Sequence, residues 1–122
     1  MILVDTSVWI DHLRKPEVKL QELLYNGEVV THALVRLELA LGSIANRQSF
    51  LSSLSLLPHI ASAGESELLH LVEARKLSSR GIGVVDLHLI ASALLDRRAS
   101  IWTRDRRLGE IAEEFGLRED FA

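Results

Sequence analysis

The chain has 122 residues, 48% of them hydrophobic and 25% charged, a composition that suits a globular domain with its own core and excludes a low-complexity or fibrous chain. A formal net charge of -3 excludes a protein that coats nucleic acid by bulk electrostatics, so a polyanionic partner has to be met by a local patch. The lack of cysteine excludes a disulfide framework and thiolate metal sites, which fits a reducing, cytoplasmic setting.

The first residues, Met1 to Asp5, carry no basic leader, and no run of about eighteen apolar residues follows, so neither secretion nor membrane insertion is expected. Ile2-Leu3-Val4 predicts a strand that hands over at Asp5-Thr6-Ser7 to a helix over Val8 to Leu13. Pro16 opens a second helix that runs to Tyr25, and Asn26-Gly27 stops it before a strand at Glu28 to Thr31. Leu34 to Leu41 predicts a helix closed by Gly42, followed by a weaker helix over Gln48 to Leu54. Leu56 to Ile60 is expected as a short edge strand, since Pro58 cannot donate to a central ladder. Helices are predicted over Glu65 to Ser78 and Asp86 to Arg98, separated by Gly81 and Gly83. A strand at Ile101 to Thr103, a helix over Arg106 to Phe115 and a short strand at Leu117-Arg118 complete the chain. With no repeat and no linker, residues 1–122 are expected to form one domain. Strands separated by long helical segments predict an α/β fold with a mostly parallel sheet, whose ligands bind beyond the carboxyl ends of the strands.

That rule places Asp5, just after the first strand, and Asp105, two residues after the strand at Ile101 to Thr103, in one crevice. Glu38 falls on the helical face of Leu34, Leu37 and Leu41, opposite Arg36, so the periodicity predicts a buried carboxylate. Such a group needs a cation, hydrogen bonds or a proton, and an ion pair with an arginine is the alternative to a ligand role. Asp86 precedes Leu89, Ile90 and Ala93 on one face, and it, Asp5 and Asp105 also suit plain N-caps. One hard cation such as Mg²⁺ or Mn²⁺ accounts for all four acids together, because the carboxylates would otherwise repel one another. Thr6, Ser7 and Thr103 add hydroxyls beside them, suited to metal-bound water or a phosphate oxygen as well as to capping and strand packing.

Arg97, Arg98, Arg104, Arg106 and Arg107 flank Asp105, a basic rim of the kind a phosphodiester selects. A solvated face paired with Glu110, Glu113 and Glu114 is the alternative. The five histidines show no zinc-ligand spacing, and only His88, two residues from Asp86, stands near the acids; Trp9 and Trp102 read as core.

Leu3-Val4-Asp5-Thr6-Ser7, Leu37-Glu38-Leu39 with Gly42, Asp86 with Ile90-Ala91-Ser92-Ala93, and Thr103-Arg104-Asp105 together resemble the PIN-domain family, of the VapC toxin type. The resemblance spans nearly the whole chain with its motifs in order. It implies a three-layer α/β/α domain with a central, mostly parallel sheet, Mg²⁺- or Mn²⁺-dependent endoribonuclease activity on RNA, homodimerisation, and a cognate VapB antitoxin that blocks the site. By the match, Asp5, Glu38, Asp86 and Asp105 are the acidic quartet, with Thr6 or Ser7 and Thr103 as helpers. The chain departs from the pattern at His32-Ala33, where members often carry a small residue or proline, and at Arg107, where some carry a further acid; the second departure implies fewer ligands and one metal. Two other readings are a phosphoacceptor receiver domain, which needs a late lysine where Lys76 is the last one here, and a catalytically inactive RNA- or antitoxin-binding module.

Overall fold

A computed structural model describes residues 1–96 and 98–121. Ile2–Val4 forms β1, whose Leu3 and Val4 are fully buried, as expected for a strand covered on both faces. It pairs in parallel with β2 (Val29–Val30) on one side and β3 (Ser100–Trp102) on the other, so the sheet order is β2-β1-β3. Parallel bridges from Thr31 to His59 and from Ile101 to Arg118 extend both edges.

The helices are α1 (Thr6–Arg14), α2 (Val18–Tyr25), α3 (Ala33–Leu41), α4 (Arg47–Ser55), α5 (Glu65–Ala74), α6 (Val84–Leu95) and α7 (Arg106–Glu114). Successive strands step outward from β1 to β2 and the His59 bridge, then return past β1 to β3. Right-handed crossovers therefore put α1 to α4 on one face and α5 to α7 on the other, the three layers of an α/β/α fold. The reversal lies between β1 and β3, and their carboxyl ends open the crevice where such sheets bind ligands.

Several expected boundaries shift for local reasons. Asp5 is extended at the N-cap, so α1 starts at Thr6 rather than Val8. Glu17 is extended at the N-cap, so α2 starts at Val18 rather than at Pro16. Leu56 to Ile60 and Leu117-Arg118 contribute single bridges instead of strands. Lys76 and Ser79 adopt positive φ of 53° and 60°, and the helix expected to reach Ser78 ends at Ala74. The helix expected from Asp86 begins at Val84, with Gly83 as its cap, and ends at Leu95. Asp86 is therefore the third residue of α6 and not its N-cap.

The core centres on Leu3, Val4, Leu89, Ile90, Ile101 and Trp102, with Trp9 also buried, as their apolar setting predicted. No described helix is long and apolar enough to cross a membrane.

Candidate active site

Asp5 closes β1 and caps α1, so a strand and a helix both fix it, and it is 5% exposed. Its Oδ2 accepts from the Ser7 hydroxyl at 2.6 Å, the Thr103 hydroxyl at 2.7 Å and the Ser7 backbone N–H at 3.4 Å. Oδ1 has no protein donor among the described residues. Thr103 Oγ1 in turn accepts the Asp105 N–H at 3.0 Å, which ties the segment after β3 to the end of β1. Asp105 caps α7 through Oδ1, which accepts from Leu108 N–H at 2.9 Å. Both aspartates are thus caps and still keep one carboxylate oxygen without a donor among the described residues, so capping does not use up either group.

Glu38 is placed differently from expectation. It is exposed, as are Leu37 (58%) and Leu41 (89%), whereas Val35 and Leu39 form the buried stripe of α3. The buried stripe lies one residue round the helix from the predicted face, and Arg36 is half-buried with Nη1 shielded and unpaired among the described residues. Glu38 sits at the edge of the stripe facing α1, where its Oε1 accepts from Thr6 Oγ1 at 2.6 Å. No ion pair holds it among the described residues, and the buried arginine partner drops out.

Asp86 is half-buried, and its Oδ2 accepts from Gly83 N–H at 3.4 Å. Its pKa is raised to about 6, first by desolvation and then, against the Gly83 hydrogen bond, by the charges of Asp5, Asp105 and Glu38. The charges of the other three acids thus all bear on Asp86. Among the described residues no three acidic or histidine side chains close on a single point. The donor set suits a hard cation that keeps much of its water and takes one or two carboxylates directly, as Mg²⁺ does. A cleft of about 510 Å³ runs beside Glu38, walled by Ile10, Leu13, Leu39 and Ile44 with Arg14 on its rim.

Comparison with protein families matches the PIN domain over residues 2–114, a span that includes all four carboxylates. The chain belongs to the PIN domain family. It is similar to Ribonuclease VapC32 of two Mycobacterium tuberculosis strains, at 47% identity over 117 residues that cover 96% of this chain and 94% of each relative.

The basic rim of this PIN domain is smaller than the sequence suggested. Arg104 turns away from the acids to pair with Asp11 at 2.8 Å and Glu17 at 2.5 Å, and its guanidinium lies 5.6 Å from the centre of the Trp102 ring. Arg98 lies at the opposite end of the sheet, since its carbonyl accepts from the Met1 amino group before β1. Arg97 lies outside the described residues. Arg106 and Arg107 remain beside Asp105, Arg106 in a 3.8 Å pair with Glu110 and Arg107 against the Gly81 carbonyl at 3.5 Å. They occupy the first turn of α7, where the helix dipole disfavours cations, so helix stability does not account for them. Glu113 and Glu114 pair instead with Arg118 and Arg80. Arg104→Ala is accordingly expected to act on stability: losing two surface ion pairs costs about 1 kcal/mol and lowers the melting temperature by about 4 °C, with any activity kept. Thermal unfolding beside an activity assay checks this.

No ligand spacing singles out a histidine in the sequence, yet His32 is fully buried at the N-cap of α3. Its place immediately before a helical run was the available signal.

Proposed function

We propose that this chain, as one PIN domain over residues 1–122, is a Mg²⁺- or Mn²⁺-dependent endoribonuclease that hydrolyses RNA phosphodiester bonds, the toxin of a type II toxin–antitoxin pair acting in the cytoplasm. The observation that carries the reading is that Asp5 and Asp105, after the carboxyl ends of β1 and β3, bear electrostatically on Asp86 together with Glu38, in a chain 47% identical to a ribonuclease. Asp5 and Asp105 would hold the cation, while Ser7 and Thr103 aim Asp5 by occupying its Oδ2. The cation supplies Lewis acidity and neutralises charge on the phosphate when bound. Asp86, with a pKa of about 6, is matched to take a proton from the attacking water near neutral pH through Oδ1, the oxygen not bonded to Gly83. Glu38, held by Thr6, orients water at the far wall of the crevice. Arg106 and Arg107 grip flanking phosphates with the N-terminus of α7. The antitoxin and homodimer contacts implied by the resemblance have apolar surface available at exposed Leu37, Leu41, Leu69 and Leu95.

Metal binding is expected to stabilise the fold, by about 3 kcal/mol at about a hundredfold excess over Kd. Thermal unfolding with Mg²⁺, Mn²⁺ or EDTA reads this out, and a melting temperature blind to both ions counts against the cation site. The deciding experiment is cleavage of a mixed RNA pool with either metal or EDTA. Metal-dependent cutting that Asp5→Asn removes supports the reading. No cutting and no metal binding sinks it and leaves the inactive binding module.

A further inference from the structure

His32 follows the Thr31 bridge at the carboxyl end of the sheet and is 0% exposed. Its backbone is extended, and its Nδ1 accepts the Leu34 N–H at 3.0 Å, the bond that a Ser, Thr, Asp or Asn usually supplies at an N-cap. An accepting Nδ1 carries no proton, so the ring proton sits on Nε2, which donates to Ser62 Oγ at 3.3 Å. Asp5, His32 and Asp105 are the side-chain caps among the described residues, and of these only the imidazole turns from acceptor to donor near neutral pH.

The surroundings oppose that change. His88 of α6 meets the ring edge-on with centroids 5.8 Å apart, Arg36 lies one turn along α3, and the segment between α4 and α5 contributes the Ser62 hydroxyl. The groups whose charge bears on His32 are thus cationic or able to become so, with no carboxylate among them.

We propose that His32 is a positioning residue whose neutral imidazole caps α3 and so holds Glu38 against Thr6, and that acid releases this cap. Glu38 is the sixth residue after the cap, and its bond to Thr6 spans 2.6 Å between α3 and α1. Protonation at Nδ1 sets two donors face to face at the start of α3, adds a buried charge beside Arg36, and frees the first turn. The pKa of His32 is lowered from 6.5, by burial first and then by His88 and Arg36. The stabilisation is therefore complete above about 6.5 and is lost as pH falls below it, because the unfolded chain binds the proton first.

The cap itself stands apart from the nuclease reading, while its effect on activity rests on it. The test starts with the unaltered metal-free chain by NMR, reading the ring tautomer of His32 and the exchange of the Leu34 amide from about pH 7.5 to about pH 4.5. The expected result is a proton on Nε2 at neutral pH and a loss of Leu34 protection of about tenfold or more in acid, beyond the intrinsic change in exchange. In His32→Asn, which caps without titrating, that loss is absent. A proton on Nδ1, protection kept throughout, or equal loss in the Asn variant overturns the proposal. If His32→Asn does not fold, the two wild-type readings decide alone. For activity, wild type is expected to lose cleavage on acidification more steeply than His32→Asn, and parallel profiles overturn the link to Glu38. A chain that cuts no RNA at any pH fails the nuclease reading while leaving the cap result intact.

Discussion

Asp5→Asn is expected to lower metal-dependent RNA cleavage by on the order of a thousandfold while leaving the fold intact. The fold survives because the amide oxygen takes the place of Oδ2 and keeps accepting from Ser7 and Thr103. The amide nitrogen replaces Oδ1, the oxygen without a protein donor, and a hard cation loses an anionic ligand there. Losing several kcal/mol of charge stabilisation corresponds to about three decades in rate. Asp5→Ala is the instructive contrast. It strands the two hydroxyls that converge on Oδ2, so about 1–3 kcal/mol of stability goes as well. Kinetics on the Asn variant beside circular dichroism separates the two effects. An Asn variant that cuts at the wild-type rate would falsify the role of Asp5, and one that unfolds would make Asp5 a structural cap alone.

Asp86→Asn is expected to do the opposite to stability. A carboxyl group whose pKa rises from 3.8 to about 6 on folding is a destabilised charge. Above about pH 6 both states are ionised and the full penalty is present. As pH falls from 6 towards 3.8 the folded state takes up its proton first and the penalty disappears. Asn carries no charge at any pH and can still accept from Gly83 N–H. The metal-free variant should therefore melt higher than wild type at neutral pH and match it near pH 3.8. Taken whole, the shift corresponds to about 3 kcal/mol; Asp86 is only half-buried and solvent screens it, so a gain of about 1 kcal/mol, or about 4 °C, is the expectation. Cleavage should fall about a hundredfold with the loss of the proton acceptor. Unfolding followed across pH in EDTA checks the sign, and a variant less stable than wild type at neutral pH would show that the repulsion is already compensated. The gain should shrink when Mg²⁺ is added, since a cation offsets the same repulsion in wild type.

How far the sequence could be read follows from how local each feature is. Ile2 to Val4 as a strand, Gly42 as a stop, and Asp5 and Asp105 at strand ends were legible because period, capping chemistry and the strand-end rule act within a few residues. Glu38 was expected on the buried face of its helix and is exposed. Its apparent partners Leu37 and Leu41 are exposed, and the stripe that α3 buries runs through Val35 and Leu39. A leucine-rich helix offers several apolar faces, and only its packing against α1, α4 and α6 selects one.

The arginines show the same limit in charge. Five lie near Asp105 in the sequence, but the three-residue strand β3 separates Arg98 from the site, and Arg104 is drawn to Asp11 and Glu17 on the other side of the chain reversal. By itself, then, the sequence determined the class of fold and the family pattern, because each depends on residue type and short spacing. Only the tertiary structure decided that Asp5 is aimed by a hydroxyl 98 residues away, that Glu38 is held by Thr6, that a buried imidazole caps α3, and which cations stay at the rim. These contacts are fixed by parallel pairing and crossovers between distant segments, and no local periodicity encodes them.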